Sequence, residues 1–192
     1  GAEVYTARTF SSQRYESRLL NSFGHPVPLV AGQLQRTGRD ACAQVLSVEF
    51  GDEADSLSLD LRAAYDVPQL KTLERRFVYT RAGAGSLTVS DHVLFDSPQA
   101  FGSALITRGR WRAEEDGSLT VLDFGEAARV EISATGGEVK LTDEVIREEA
   151  RVQPTRIGIN FAAPVTEATL SLTITPLDPT KIGGDWGLLV NG

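Results

Sequence analysis

The chain has 192 residues, of which 41% are apolar, and this is enough to bury one sizeable core in a single domain. Its formal net charge of −7, from 19 Lys and Arg against 26 Asp and Glu, argues against a surface for nucleic acid or for an acidic membrane. No apolar run is long enough to span a membrane, so neither nucleic acid nor a membrane is expected as a partner.

The single cysteine, Cys42, excludes an internal disulfide and leaves the redox compartment open. Because it stands between two alanines, Cys42 is expected to be a small buried hydrophobe. The sequence has no methionine and shows no signal-peptide pattern. We therefore expect residues 1–192 to be one domain excised from a longer chain, and the periplasm, secretion and the cytoplasm are all compatible locations for that parent.

The first 26 residues have weak periodicity, and we expect an entering strand at residues 3–6 followed by an arginine-bearing loop. After the prolines of this region, short runs with a two-residue apolar period alternate with turn residues. In residues 87–95 this period puts Asp91 on the same face as Val89 and Val93. Residues 142–150 fit a helical turn and a strand almost equally well. The apolar tail, residues 185–190, is expected to dock on the rest of the domain.

Strands are predicted at residues 46–50, 57–61, 70–80, 87–95, 100–108, 118–124, 127–133, 138–141, 155–161 and 169–175. About a dozen short strands with glycine- and proline-bearing turns are typical of antiparallel sheets stacked face to face. The sequence therefore predicts an all-β fold, an antiparallel two-sheet β-sandwich that forms a single domain over residues 1–192.

Residues 21–30 (NSFGHPVPLV) are the part of the chain best suited to chemistry. They contain His25, one of only two histidines, together with an amide, a hydroxyl, a glycine and two prolines. Arg14, Tyr15 and Arg18 lie just upstream. Asn21 and the serine after it can bond to the backbone and brace a tight turn.

This run resembles the heparinase II/III family of polysaccharide lyases, together with residues 31–35 and 38–41 and the later pattern SLDLRAAY at residues 58–65. The resemblance is best in the first half of the chain. In that family an N-terminal α/α toroid is joined to a C-terminal β-sandwich, and the active site lies between them. The resemblance implies that this chain is the sandwich, and that its partners are the toroid of the same parent chain and an acidic polysaccharide.

The family cleaves uronic-acid-containing glycans by β-elimination, so the sandwich would form one wall of the cleft. The resemblance places Tyr15 and Tyr5 where aromatic hydroxyls reach the substrate, as candidate catalytic residues, and cations nearby could lower their pKa values. Arg14, Arg18 and Asn21 are the candidate substrate-binding residues. The alternative for each tyrosine is a phenol packed on a strand edge with its hydroxyl in water.

In family members with a structural zinc, the histidine that matches His25 is a ligand, and a further histidine and aspartate come from segments that would precede Gly1. Zinc needs three or four ligands, so no cofactor is expected in the isolated chain, whereas zinc is possible in the full-length parent. The alternative is a hydrogen-bonded His25 that braces its loop. Pro26 departs from the family pattern, which has asparagine after the histidine.

A second candidate site is formed by Arg108, Arg110 and Arg112, which alternate around Trp111. On an unbroken strand they would share one face and suit an acidic sugar, although the acidic residues 114–116 favour a solvated charged hairpin. A non-catalytic carbohydrate-binding module built on this triplet, or a purely structural sandwich, are therefore the alternative functions. His92 is expected at the surface, and no hydrolase or phosphate-binding motif is present.

Overall fold

The computed structural model describes residues 4–183, and within them the chain forms twelve strands and five short 3₁₀ helices. The strands are β1 (Leu29–Val30), β2 (Gln44–Phe50), β3 (Ala54–Asp60), β4 (Leu70–Thr80), β5 (Ser86–Gln99), β6 (Phe101–Thr107), β7 (Arg110–Ala113), β8 (Leu119–Asp123), β9 (Glu126–Thr135), β10 (Val139–Val145), β11 (Thr155–Phe161) and β12 (Val165–Leu177). The 3₁₀ helices are Arg8–Phe10, Arg14–Glu16, Ser22–Gly24, Arg62–Ala64 and Pro179–Lys181. None of the helices in this part of the chain has the length and apolarity needed to cross a membrane.

The strands form two sheets in which every pairing is antiparallel. The larger sheet has eight strands in the order β2-β3-β4-β5-β12-β9-β8-β7, and the smaller has four in the order β1-β6-β11-β10. The predicted all-β antiparallel two-sheet sandwich is confirmed. Of the two readings of residues 142–150, the strand is correct as far as Val145, and the apolar tail lies outside the described residues.

The core lies between the sheets and is filled by the alternating apolar residues that the sequence showed. Leu73, Val93 and Ala168 are cross-strand neighbours on β4, β5 and β12, and all three are buried. Opposite them, Phe101 and Phe161 of the small sheet stack with ring centroids 6.0 Å apart. The two-residue period therefore identifies the inner faces correctly.

The other face of the large sheet is lined by hydroxyl groups at the alternate positions. Ser90 and Ser171 are hydrogen-bonded across β5 and β12 at 2.8 Å, and Thr88 and Thr173 at 3.1 Å. His92 lies on the same face, with Nε2 3.1 Å from a carboxylate oxygen of Glu167. The predicted surface position of His92 is confirmed.

The N-terminal segment, residues 4–26, differs from its prediction. Residues 4–6 form no strand, and the segment continues as short 3₁₀ turns laid over the outer face of the small sheet. Arg18 ties it there, because its guanidinium donates to Glu144 of β10 at 2.5 Å and its backbone N–H donates to Glu148 at 2.9 Å. Within this segment, Gly24 packs closely against the backbone of Arg18. A Cβ at this position would lie 2.5 Å from the carbonyl oxygen of Arg18.

Cys42 also differs from its prediction, because its side chain is exposed rather than buried. It immediately precedes β2, the edge strand of the large sheet, and all seven residues of β2 are exposed as well. The small apolar residues around Cys42 therefore lie outside the core.

The most deeply buried charges are Arg75 of β4 and Asp91 of β5, which face each other inside the sandwich. Two parallel hydrogen bonds join them, Nε to Oδ1 at 2.6 Å and Nη2 to Oδ2 at 2.7 Å, and the two residues are only 5% and 2% exposed. Two further hydrogen bonds of Arg75 reach the carbonyl oxygen of Pro26 at 2.7 Å and Ser103 Oγ of β6 at 3.3 Å. One guanidinium thus joins both sheets to the segment that enters β1.

We expect Asp91→Ala to lower the free energy of unfolding by about 3–5 kcal/mol, because Arg75 would be left as a buried cation without a counter-ion. Urea denaturation of the two proteins measures this difference. The exposed pair between Arg81 and Asp55 provides the control, since Arg81→Ala should cost at most about 1 kcal/mol. Equal losses for the two variants would contradict the role given to the buried pair.

Candidate functional site

The loop around His25 is held from within by two of its own polar side chains. Asn21 caps the turn Ser22–Gly24, because its Oδ1 accepts from the backbone N–H of Phe23 at 2.9 Å while its Nδ2 donates to the carbonyl of Tyr15 at 3.2 Å. The Ser22 hydroxyl accepts from the backbone N–H of Gln35 at 2.8 Å. The predicted bracing of a tight turn by these two residues is confirmed.

Three buried side chains from distant parts of the chain also hold this loop. Each donates one hydrogen bond to a carbonyl oxygen of the loop: Arg156 to Phe23 at 2.9 Å, Arg75 to Pro26 at 2.7 Å and Tyr65 to Pro28 at 2.6 Å. Because proline has no N–H, the carbonyl is the only backbone hydrogen-bonding group at residues 26 and 28. The loop conformation is therefore set by buried side chains that are distant from it in the sequence.

Burial shifts the pKa values of two of these anchors, Tyr65 and Arg156. It raises the pKa of Tyr65 well above its usual range, so the phenol stays protonated and acts as a donor. Burial also lowers the pKa of Arg156, although the nearby carboxylate of Glu144 opposes this shift. The ring of Phe23 lies between two guanidinium groups, with its centroid 3.9 Å from Arg18 Cζ and 4.7 Å from Arg156 Cζ, which fixes the ring by cation–π contact.

The outer surface of the loop lines a cleft of about 370 Å³. Its polar lining comes from seven side chains, and its apolar lining comes from Leu20, Leu34 and Ala41. The polar residues are Tyr15, Asn21, Ser22, His25, Gln35, Arg36 and Thr37. Among the described residues that line the cleft there is no carboxylate, and Arg36 is the one permanently charged side chain.

Arg36 is positioned by backbone groups rather than by an acidic partner. Its Nε donates to the carbonyl of Ala63 and its Nη2 to the carbonyl of Asp40, both at 2.9 Å, and its own N–H donates to the carbonyl of Ala64. These acceptors are neutral, so they orient the guanidinium without cancelling its charge. Other arginines of the described chain are paired with carboxylates: Arg8, Arg18, Arg62, Arg75, Arg81, Arg112 and Arg129.

The structure brings together some of the residues singled out in the sequence. Tyr15, Asn21 and His25 line the cleft, and both polar atoms of Asn21 are bonded to the backbone. Arg14 lies beside the cleft, with its guanidinium 5.9 Å from the centroid of the Tyr15 ring and bonded to the carbonyl of Thr9. These four residues therefore share one region of the surface.

Arg18 and Tyr5 lie elsewhere. Arg18 faces the outer side of the small sheet, where Glu144 occupies its guanidinium. Tyr5 is exposed and packs against Phe10, with ring centroids 5.8 Å apart, and it does not line the cleft. Neither residue is placed by the structure to act together with Tyr15.

His25 is exposed, and its imidazole makes no hydrogen bond with any residue in the described range 4–183. The alternative in which a hydrogen-bonded His25 braces the loop is therefore wrong, because buried donors do this instead. No group of three or more His, Cys, Asp or Glu side chains in that range is arranged to hold a metal ion. The described residues alone do not fit a zinc site, and a zinc-ligand role for His25 stays a prediction that needs ligands from elsewhere.

Of the two interpretations of the arginine triplet, the favoured charged hairpin is correct, and the site for an acidic sugar is not formed. Arg108 lies in the turn before β7, so the three residues do not share one strand. Trp111 pairs with Val121 of β8 and packs against the core, whereas Arg112 donates to Glu114 at 2.7 Å. The indole ring is thus unavailable as a stacking platform for a sugar.

Four residues that form or support the cleft were not predicted from the sequence. Arg36 falls in a loop without periodicity, and Tyr65 follows the 3₁₀ helix Arg62–Ala64 at the end of a pattern that was noted only for its resemblance. Arg75 and Arg156 are arginines in otherwise ordinary strands. Asp91 is the one clear signal, since an acidic residue in phase with Val89 and Val93 suggests a buried ion pair.

Comparison with known proteins gives structural neighbours only. No protein-family model and no curated protein matches the sequence. The heparan sulfate lyase HepC from Pedobacter heparinus superposes with a TM-score of 0.64 at 12% identity, over 93% of this chain and 28% of that chain. A heparinase III structure gives a TM-score of 0.67 at 10% identity, over 93% of this chain and 27% of that chain.

The chain therefore spans a little over a quarter of the length of these lyases. At 10–12% identity the likeness shows the fold: this β-sandwich has the architecture of one region of heparan sulfate-cleaving lyases. The structural match covers nearly the whole described chain, whereas the sequence resemblance is best in its first half.

We expect Tyr65→Phe to cost about 1–3 kcal/mol of unfolding free energy, because the carbonyl of Pro28 would lose its buried donor. His25→Ala should change it by no more than about 0.5 kcal/mol, since an exposed side chain without a partner is removed. Chemical denaturation of both variants tests the assignment. A larger loss for His25→Ala than for Tyr65→Phe would show that the imidazole, not the phenol, holds the loop.

Proposed function

We propose that this chain is the β-sandwich domain of a polysaccharide lyase and that the His25 cleft forms one wall of a binding site for a uronic-acid-containing glycan. The observation that carries this proposal is the charge of the cleft. A chain of net charge −7 has here a surface depression without a lining carboxylate and with an oriented, unneutralised arginine. The fold shared with heparan sulfate lyases supports the same function.

The chemistry of elimination gives each cleft residue a role. Cleavage removes the C5 proton of the uronate, and the carboxylate next to that carbon must be neutralised for the proton to become acidic. A guanidinium matches the two oxygens of a carboxylate, and Arg36 has its Nη1 edge available after its two bonds to backbone carbonyls. Arg36 therefore binds the uronate carboxylate in this proposal.

Tyr15 and His25 are the cleft groups able to carry a proton. Both are exposed at the cleft, so solvent and a substrate can reach them. The guanidinium of Arg14 lies 5.9 Å from the centroid of the Tyr15 ring, so a cation stands beside this phenol. Asn21 acts on the same site indirectly, because it fixes the carbonyl of Tyr15 and the turn that precedes His25.

The second wall of the cleft and the remaining catalytic groups would come from the α/α toroid of the same parent chain. The cleft side chains Tyr15, His25 and Arg36 are exposed to solvent, and elimination requires both a base and an acid held against the sugar. The isolated domain accordingly binds acidic glycan without cleaving it.

We expect Arg36→Gln to weaken binding of a heparan sulfate tetrasaccharide about tenfold or more, because a charge-assisted hydrogen-bond pair is removed. Isothermal titration calorimetry measures the affinity, with an alginate oligomer as a second probe and a neutral cello-oligosaccharide as the uncharged control. Arg76→Gln is the matched variant, since Arg76 is an exposed arginine on the hydroxyl-lined face of the large sheet. Equal losses for the two variants, or equal binding of the neutral sugar, would contradict the proposal.

We expect the isolated domain to release no unsaturated uronate product from any acidic glycan, because the rest of the catalytic set lies on the other domain. Ultraviolet absorbance of the conjugated product measures this directly. An absorbance increase proportional to added domain would refute the division of labour between two domains and place the whole reaction within this chain.

A further inference from the structure

Two aromatic side chains of the N-terminal segment contact each other in water. The ring centroids of Tyr5 and Phe10 are 5.8 Å apart and their planes are inclined at 57°. The two residues are 67% and 79% exposed. A single exposed apolar residue is common on a protein surface, but two rings in contact with each other form a small aromatic surface.

The backbone that carries this pair is fixed by buried and charged contacts. Thr9, the residue before Phe10, is 1% exposed, and its hydroxyl accepts from the backbone N–H of Thr6 at 3.1 Å. Arg8 donates to the carboxylate of Glu148 at 2.9 Å. The segment therefore buries a hydroxyl-bearing residue and leaves its rings in water, which is the reverse of what apolar burial alone would produce.

Arg14 connects the aromatic pair to the His25 cleft. Its Nη1 donates to the carbonyl of Thr9 at 3.2 Å, and this carbonyl belongs to the peptide bond that precedes Phe10. Its Cζ lies 5.9 Å from the centroid of the Tyr15 ring, and Tyr15 lines the cleft. Within residues 4–183 the guanidinium has this neutral acceptor and no carboxylate partner, so its charge is not cancelled.

This arrangement matches the two kinds of surface that an acidic sugar presents. The face of a pyranose ring carries C–H groups, whose slight positive charge suits the negative face of an aromatic ring. The edge of a uronate carries a carboxylate, which suits a guanidinium. An aromatic pair, a cation and the cleft therefore follow one another along a surface that fits a glycan chain.

We propose that Tyr5 and Phe10 form an outlying subsite for the glycan bound in the cleft. The chain held by Arg36 continues past Tyr15 and Arg14, and its sugar rings then pack on the aromatic pair. This inference rests on the proposed function, because its ligand is the acidic glycan of the cleft. It gives Tyr5 a binding role outside the cleft in place of a catalytic one. Only a chain longer than the cleft reaches this subsite, so affinity rises with chain length.

Isothermal titration calorimetry of the whole chain with a heparan sulfate tetrasaccharide and a heparan sulfate dodecasaccharide tests the subsite. Phe10→Ala and Tyr5→Ala should each weaken binding of the dodecasaccharide about three- to tenfold, because one aromatic contact is lost. Neither should change the affinity for the tetrasaccharide. Phe124→Ala is the matched control, since Phe124 is 82% exposed and lies in the turn between β8 and β9. It should leave both affinities unchanged.

The control also accounts for the greater number of registers in which a longer chain can bind, because that gain is the same in every variant. Unchanged affinity of Phe10→Ala and Tyr5→Ala for the dodecasaccharide overturns the subsite. An equal loss with both probes overturns it as well, because the pair would then contact sugar held in the cleft itself.

Arg36→Gln separates failure of the subsite from failure of the proposed function. If it weakens binding of the tetrasaccharide while the aromatic variants bind the dodecasaccharide normally, the subsite alone is wrong. If it leaves both affinities unchanged, the cleft is not the glycan site and the proposed function is wrong. Circular dichroism shows whether each variant keeps the β-sheet spectrum, and Tyr5→Ala decides the outcome where Phe10→Ala is poorly folded.

Discussion

The architecture depends on the buried guanidinium of Arg75. Its positive charge needs a counter-ion, and its N–H groups need acceptors within the protein. A buried cation is stabilised only if its counter-ion and its remaining donors are all in place. Asp91, Ser103 and the carbonyl of Pro26 meet this demand from β5, β6 and the segment before β1. A shift of one residue in the β4–β5 register would move Asp91 to the opposite face, so the ion pair fixes the register and the position of the loop together.

The arginines around this pair differ in what holds them. Seven arginines of the described chain are paired with carboxylates and stabilise the scaffold. Arg36 is held by neutral backbone oxygens and keeps its charge for a ligand. An overall negative surface disfavours the approach of an acidic polymer, so one unneutralised arginine in a cleft without carboxylates concentrates the attraction at that point.

The sequence was most informative where structure depends on local alternation. Strands such as β3 and β5 follow directly from their two-residue period, which reflects a core on one face and water on the other. The N-terminal segment was misjudged because its path depends on Glu144 and Glu148, more than 120 residues away in the chain, rather than on its own periodicity. Cys42 was misjudged for the related reason that an apolar run need not be buried at a sheet edge.

The candidate site shows the same limit. His25, Asn21 and Tyr15 could be selected from residue type and spacing, and they do lie in one cleft. Arg36 could not be selected in this way. What distinguishes it is that no acidic side chain lines the cleft beside it in the folded chain. Asp91 has the same alternation as the apolar residues of β5, which suggests a buried ion pair. Its partner Arg75 can be identified only once the pairing of β4 with β5 is known.

The three anchors of the His25 loop also constrain how the chain folds. Tyr65, Arg75 and Arg156 are 37, 49 and 133 residues from the carbonyls they hold, and they come from both sheets and a connecting turn. Contacts of such long sequence separation form only after the large loops between them have closed. The loop that lines the cleft is therefore held only when both sheets and the connecting turn are in place.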